Sequence, residues 1–122
     1  MLNRVVYFEI PSDDPEKSMD FFKEVFGWKF EQFGNNEYWS AISGDENITG
    51  INGAISKRKD PKEPVVTTIA VENLDDYIRK IEKAGGKIVM PKMSVPKIGW
   101  IAYFIDPDGN MHGMWQEDRD VK

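Results

Sequence analysis

Hydrophobic and polar residues in this chain fall into two kinds of period, and the order of the two kinds repeats. Residues 4–10, RVVYFEI, alternate so that Val6, Phe8 and Ile10 share one face and Val5, Tyr7 and Glu9 the other, which predicts a strand with one apolar side. Residues 12–27 change to a helical period. Acidic capping candidates and Pro15 open this segment, Met19, Phe22, Val25 and Phe26 fall on one face, and Gly27 closes it. Three short strands are predicted over 28–33, 38–43 and 48–56, separated by the turn formers Gly34-Asn35-Asn36 and Gly44-Asp45-Glu46-Asn47. The first half therefore reads βαβββ.

Residues 56–64, SKRKDPKEP, are polar and carry two prolines, as a surface connection does. The order then starts again. A strand in PVVTTIAVEN leads to Asn73, a helix cap, and to a stripe of Leu74, Ile78 and Ile81 that ends at Gly85-Gly86. Strands follow over 87–93, 99–105 and 110–116, with Asp106-Pro107-Asp108-Gly109 as the turn between the last two. Gly27-Trp28-Lys29-Phe30 after the first helix is matched by Gly85-Gly86-Lys87-Ile88 after the second. The expected fold is α+β: two βαβββ modules, 1–56 and 65–122 with a linker over 57–64, whose curved mixed sheets surround a shared cleft in a single domain.

Composition narrows the chemistry. A chain of 122 residues can bury a core of its own. It has no cysteine, which removes disulfides, thiolate metal sites and cysteine nucleophiles, and one histidine, His112. Any transition-metal site would have to be rich in carboxylates or shared between chains. A net charge of −5 has the wrong sign for a protein that tracks a nucleic-acid backbone, and no Gly-rich phosphate loop occurs. No apolar run approaches a membrane span and the N-terminal residues lack a signal-peptide core, so a cytoplasmic protein with no membrane partner is expected.

Three stretches together carry a resemblance: VYFEIPSDDPEKSMDFFKEVFGWKF, TIAVENLDDYIRKIEKAGGKI and FIDPDGNMHGMWQ. The chain resembles the vicinal oxygen chelate superfamily, the glyoxalase, bleomycin-resistance and extradiol dioxygenase group, over nearly its full length. The resemblance implies a small-molecule ligand and a homodimer. In the metal enzymes of that group, four side chains on four cleft-facing strands, mostly His and Glu, hold a divalent ion that acts as a Lewis acid. The corresponding positions are Val5 or Tyr7, Asn52, Val66 or Thr68, and Gly113, so no metal and no cofactor is expected.

The remaining cleft-facing candidates are Tyr7, Glu9, Asn52, Thr68 and Trp115, with Trp39 and Trp100 at comparable places on the third and seventh strands. Glu9 is the candidate catalytic residue, a carboxylate whose enclosure would suit it to general acid or base work. Alternation turns His112 and Met114 toward the helix if Gly113 faces the cleft. Asp13-Asp14 and Asp75-Asp76 are read as charges at helix N-termini. Three functions stay open: binding of a small molecule in a metal-free cleft, a lyase, isomerase or dioxygenase-related enzyme with a non-standard site, and a module that acts when paired with another chain.

Overall fold

The alternation over the first ten residues is realised as strand β1 (Arg4–Ser12) in a computed structural model that describes residues 2–122. Helix α1 (Pro15–Phe26) and strands β2 (Lys29–Gln32), β3 (Tyr38–Ile42) and β4 (Asn52–Lys57) follow. The second half consists of β5 (Val66–Ala70), α2 (Leu74–Lys83), β6 (Lys87–Val95), β7 (Gly99–Ile105) and β8 (Met111–Glu117). The fold is mixed α+β, with βαβββ written twice.

The chain divides into two compact units, Tyr7–Val65 and the residues up to Val6 together with Val66–Lys122. In the first, the strand order is β2-β3-β4-β1, antiparallel except for β4 and β1. That parallel pair needs a long crossover, which α1 and the β2–β3 hairpin supply. Helix α1 begins where the Asp14 carboxylate accepts the Lys17 N–H at 3.2 Å with Pro15 in the first turn. It stops at Gly27, whose φ of 73° permits the closing bond from Trp28 N–H to the Phe22 carbonyl at 3.3 Å. Phe22 stacks on Trp28 with centroids 4.5 Å apart, and Trp28 lies 5.5 Å from Phe8 and 6.4 Å from Phe30, so aromatic rings fill the space between α1 and its strands. Ala41, Ala54 and Ile55 are fully buried. The helical stripe read from the sequence is only half used: Met19 is buried and Phe22 partly so, but Val25 and Phe26 remain 55% and 62% exposed. Trp28, beyond the helix end, takes the space they would have filled.

In the second unit the order is β5-β8-β7-β6, with β5 and β8 parallel. The Asn73 carboxamide caps α2 by accepting the Asp76 N–H at 3.0 Å. Leu74, fully buried, packs with Val71, Ala102 and Met114, and Ile78, Ile81 and Phe104 close around them. The Asn3 N–H donates to the Ala70 carbonyl at 2.6 Å, which is why the first residues belong to this unit. The segment read as a linker is tied down at its start. Strand β4 runs through Lys57, the Arg58 N–H bonds the Ser12 carbonyl at 2.8 Å, and the Arg58 guanidinium reaches Asp13 at 3.1 Å and the Pro11 carbonyl at 3.2 Å.

Candidate functional site

In the unit Tyr7–Val65, register decides which side chains share a face. Tyr7 stands opposite Asn52, Glu9 opposite Ala54 and Ala54 opposite Ser40. Phe8 and Ile10 take the α1 side, so Tyr7, Glu9, Asn52 and Ser40 lie on the side away from the helix. Tyr38 belongs to that face as well, and its phenol oxygen is 2.5 Å from that of Tyr7. Burial raises the proton affinity of the Tyr7 phenol, the Tyr38 hydrogen bond lowers it in part, and the Glu9 carboxylate raises it again. Tyr7 is therefore a neutral phenol at physiological pH. The Asn52 carboxamide oxygen accepts the Ser43 N–H at 2.9 Å and closes the loop between β3 and β4.

Trp39 is not brought together with these residues. It pairs with Ile55, which pairs with Ile10, and this places it on the α1 side. The physical reason is the period of two: once Tyr38 and Ser40 face away from the helix, Trp39 between them cannot.

In the second unit, Thr68 pairs with Gly113 and Gly113 with Tyr103, while Ala70 pairs with Trp115 and Trp115 with Ile101. Ile69, Ala102 and Met114 occupy the α2 side, so Thr68, Tyr103 and Trp115 lie on the side away from that helix. A Cβ added at Gly113 would come within 2.7 Å of Thr68 Oγ1 and 3.2 Å of the Tyr103 ring. Trp100 is on the other side, packed against the core under α2. Its indole N–H donates to Asp118 at 3.2 Å, and Lys92, itself paired with Asp75 at 3.1 Å, sits 4.4 Å from its ring centroid. Trp100 thus tethers the chain after β8 rather than serving with Thr68 and Trp115.

His112 shares the α2 side with Met114. It lies 5.2 Å from the Phe104 ring and its Nε2 is 2.8 Å from an Asp106 carboxylate oxygen. The other oxygen of Asp106 accepts the N–H groups of Asp108 and Asn110 at 2.9 and 3.0 Å, closing the Asp-Pro-Asp-Gly turn. The His112 bond leads these contacts in holding the Asp106 pKa down to about 2. Both side chains therefore work in the β7–β8 turn.

The positions that the resemblance implies for chelation, Val5 or Tyr7, Asn52, Val66 or Thr68, and Gly113, do not offer donors that fit a divalent ion. Tyr7 keeps its proton, Asn52 turns its oxygen to Ser43, Gly113 has no side chain, and Thr68 and Tyr103 occupy the space where one would begin. Among the described residues no three of His, Asp and Glu converge on a point where a metal could sit.

The model of the Glyoxalase/Bleomycin resistance protein/Dioxygenase superfamily matches residues 4–113. The chain belongs to this superfamily. It is 30% identical over 112 residues to a glyoxylase-like domain-containing protein of Didymella fabae, covering 87% of this chain and 88% of that protein. The anthracycline biosynthesis protein DnrV of Streptomyces peucetius is 25% identical over 126 residues, covering 91% of this chain and 46% of that protein. The chain spans about half the length of most of the curated relatives it matches, 46% in each case. A superfamily member from Vibrio splendidus 12B01 superposes with a TM-score of 0.67 at 19% identity, over 94% of this chain and 98% of that one, which shows the shared fold. Within the superfamily's frame, Tyr38 and Tyr103 are the residues that sequence reasoning missed. Counting alternation from Tyr38 would have found the first; an aromatic facing a strand glycine, as Tyr103 faces Gly113, is the signal for the second.

Proposed function

We propose that this superfamily member binds a small, oxygen-bearing and partly aromatic molecule through hydrogen bonds, without a chelated metal. The observation that carries this reading is the Tyr7–Tyr38 phenol pair at 2.5 Å on the helix-free face of its unit, with Glu9 on the same face. A phenol both donates and accepts hydrogen bonds, which suits the pair to a ligand carbonyl or hydroxyl. Aromatic and amide groups around a few placed polar atoms are the usual lining of a small-molecule site. Within the other unit, Thr68 and Trp115 put a hydroxyl and an aromatic ring on the side away from α2, and we propose them as ligand-contact residues of that face. The relation to an anthracycline biosynthesis protein and to a glyoxylase-like protein selects the compounds to try first.

The test is a thermal-shift and calorimetric comparison of the native chain with Tyr7→Phe, using an anthracycline aglycone and the hemithioacetal of methylglyoxal and glutathione as probes. Saturable stabilisation of the native chain by one probe, weakened about tenfold in Tyr7→Phe, is expected for a lost hydrogen bond to a desolvated ligand atom. Equal binding by both proteins would reject the phenol pair as the recognition element.

The position of Glu9 beside Tyr7 favours a second reading, a lyase or isomerase in which Glu9 moves a proton of the bound molecule. Turnover that survives Glu9→Gln unchanged would remove it. We also infer a cytoplasmic setting and a homodimer, in keeping with the superfamily resemblance. No helix of the described residues is long and apolar enough to cross a membrane.

A further inference from the structure

The helix-free face of the unit Tyr7–Val65 carries one aromatic ring more than its phenol pair. Phe33, the residue after β2, stands opposite Tyr38: its N–H donates to the Tyr38 carbonyl at 2.9 Å, and the two rings meet edge to face at 6.2 Å and 77°. Cross-strand partners share a side, so Phe33 lies with Tyr38, while Gln32 lies with its own partner Trp39 on the α1 side. The contact between the phenols is diagonal. Tyr7 pairs with Asn52 and Tyr38 with Ser56, and they meet across β4 over Ala54, which is fully buried and places only a methyl group beneath them. Phe33, Tyr38 and Tyr7 thus form a row of rings that begins at the β2 edge of the sheet and ends at the hydrogen-bonding pair.

Phe33 is 48% exposed, and a perpendicular pair leaves at least one face of its ring untouched by Tyr38. The residue is nonetheless held in place. Its carbonyl accepts the Asn36 N–H at 3.1 Å, and the Gln32 carboxamide donates to the Asn36 carbonyl at 2.8 Å, which closes the turn between β2 and β3. An open ring on a closed turn loses little freedom when a ligand covers it. We infer that Phe33 is an aromatic shelf of the ligand site, an inference that rests on the phenol pair as the element that recognises the ligand oxygen. The shelf selects the class of ligand. With the oxygen at Tyr7 and Tyr38, a single ring attached to it extends along Tyr38, and a second fused ring is needed to reach Phe33, one ring further along the row. The ligand is therefore a flat, fused aryl ketone or aryl alcohol, stacked or edge-packed on Phe33.

The experiment is calorimetric titration of the full chain with 2-acetylnaphthalene and with 2-acetyldecalin, which carries the same carbonyl on a saturated body of similar size. The native chain should prefer the naphthalene compound by about three- to tenfold, the value of one aromatic contact beyond its area. Phe33→Leu keeps an apolar partner for Tyr38 and should stay folded by far-ultraviolet circular dichroism. It should lose most of that preference by weakening the naphthalene compound alone, and Phe33→Trp should retain the preference. A preference unchanged in Phe33→Leu overturns the inference. So does an equal loss for both compounds, because Phe33 would then act only as a support for Tyr38, and so does a native chain that binds neither. Tyr7→Phe should weaken both compounds alike, since both present the same oxygen. A failed phenol reading therefore shows in Tyr7→Phe, and a failed shelf shows in Phe33→Leu.

Discussion

Single residues set the tightest tolerances in this molecule. Gly53 pairs with Phe8 so closely that an added Cβ would lie 2.2 Å from the Phe8 carbonyl oxygen and 2.6 Å from its ring. Backbone cannot yield as a flexible side-chain tip can, so Gly53→Ala should lower stability by about 1–3 kcal/mol or more. Urea unfolding monitored by tryptophan fluorescence measures this, and an unchanged midpoint would contradict the close approach. Asp106 makes the pH prediction. Its pKa is held near 2 in the folded chain, below the ordinary 3.8, so the unfolded chain binds the proton more readily. The stabilisation is fully present above the ordinary value and is lost as pH falls through about 4 toward 2. Asp106→Asn should remove that acid-dependent step from the unfolding midpoint, while a variant that keeps the step would show that other carboxylates cause it. That Tyr7 and Glu9 face away from α1 was legible because they alternate with the apolar side of the same strand, Val6, Phe8 and Ile10, and Asn52 shares their side through its pairing with Tyr7. Trp39 and Trp100 could be read from the sequence as ligand platforms or as core, and alternation, counted from Tyr38 and from Gly113, puts both on the helix sides.

Among the elements, α2 matches its sequence pattern and α1 departs from it. The Leu74, Ile78 and Ile81 stripe reads directly as the contact of α2 with its strands, since Asn73 fixes where the helix begins and so which face is turned inward. Leu74→Ala should accordingly cost about 2–5 kcal/mol, because the side chain is fully buried among Val71, Ala102 and Met114 and the site cannot collapse around alanine. Denaturant unfolding checks this, and a loss under about 1 kcal/mol would mean that α2 is loosely docked. In α1 the apolar residues outnumber the places available to them. Phe22 and Met19 go inward, Trp28 folds back against Phe22, and Phe21, Val25 and Phe26 are left outside. The sequence pattern marks a helix there correctly but cannot say which of its apolar residues the sheet takes up, since a tryptophan beyond the helix end competes for the same space.

At the scale of the whole molecule, the repeated βαβββ order was legible because turn formers and helix caps punctuate both halves in the same sequence. Tyr7 pairs with Asn52 and Thr68 with Gly113, so four of the positions that the resemblance implies for chelation stand in two adjacent pairs, one in each unit. What stands there is a neutral phenol, a committed carboxamide, a buried hydroxyl and a glycine. Such groups recognise oxygen atoms by hydrogen bonding and are poor ligands for a divalent cation. Isothermal titration of the untagged, chelator-treated chain with zinc, nickel and manganese, each at neutral pH, tests that claim most directly. No stoichiometric heat and no rise in melting temperature is the predicted result, and one ion bound per chain, lost in Tyr7→Phe or Thr68→Ala, would contradict it.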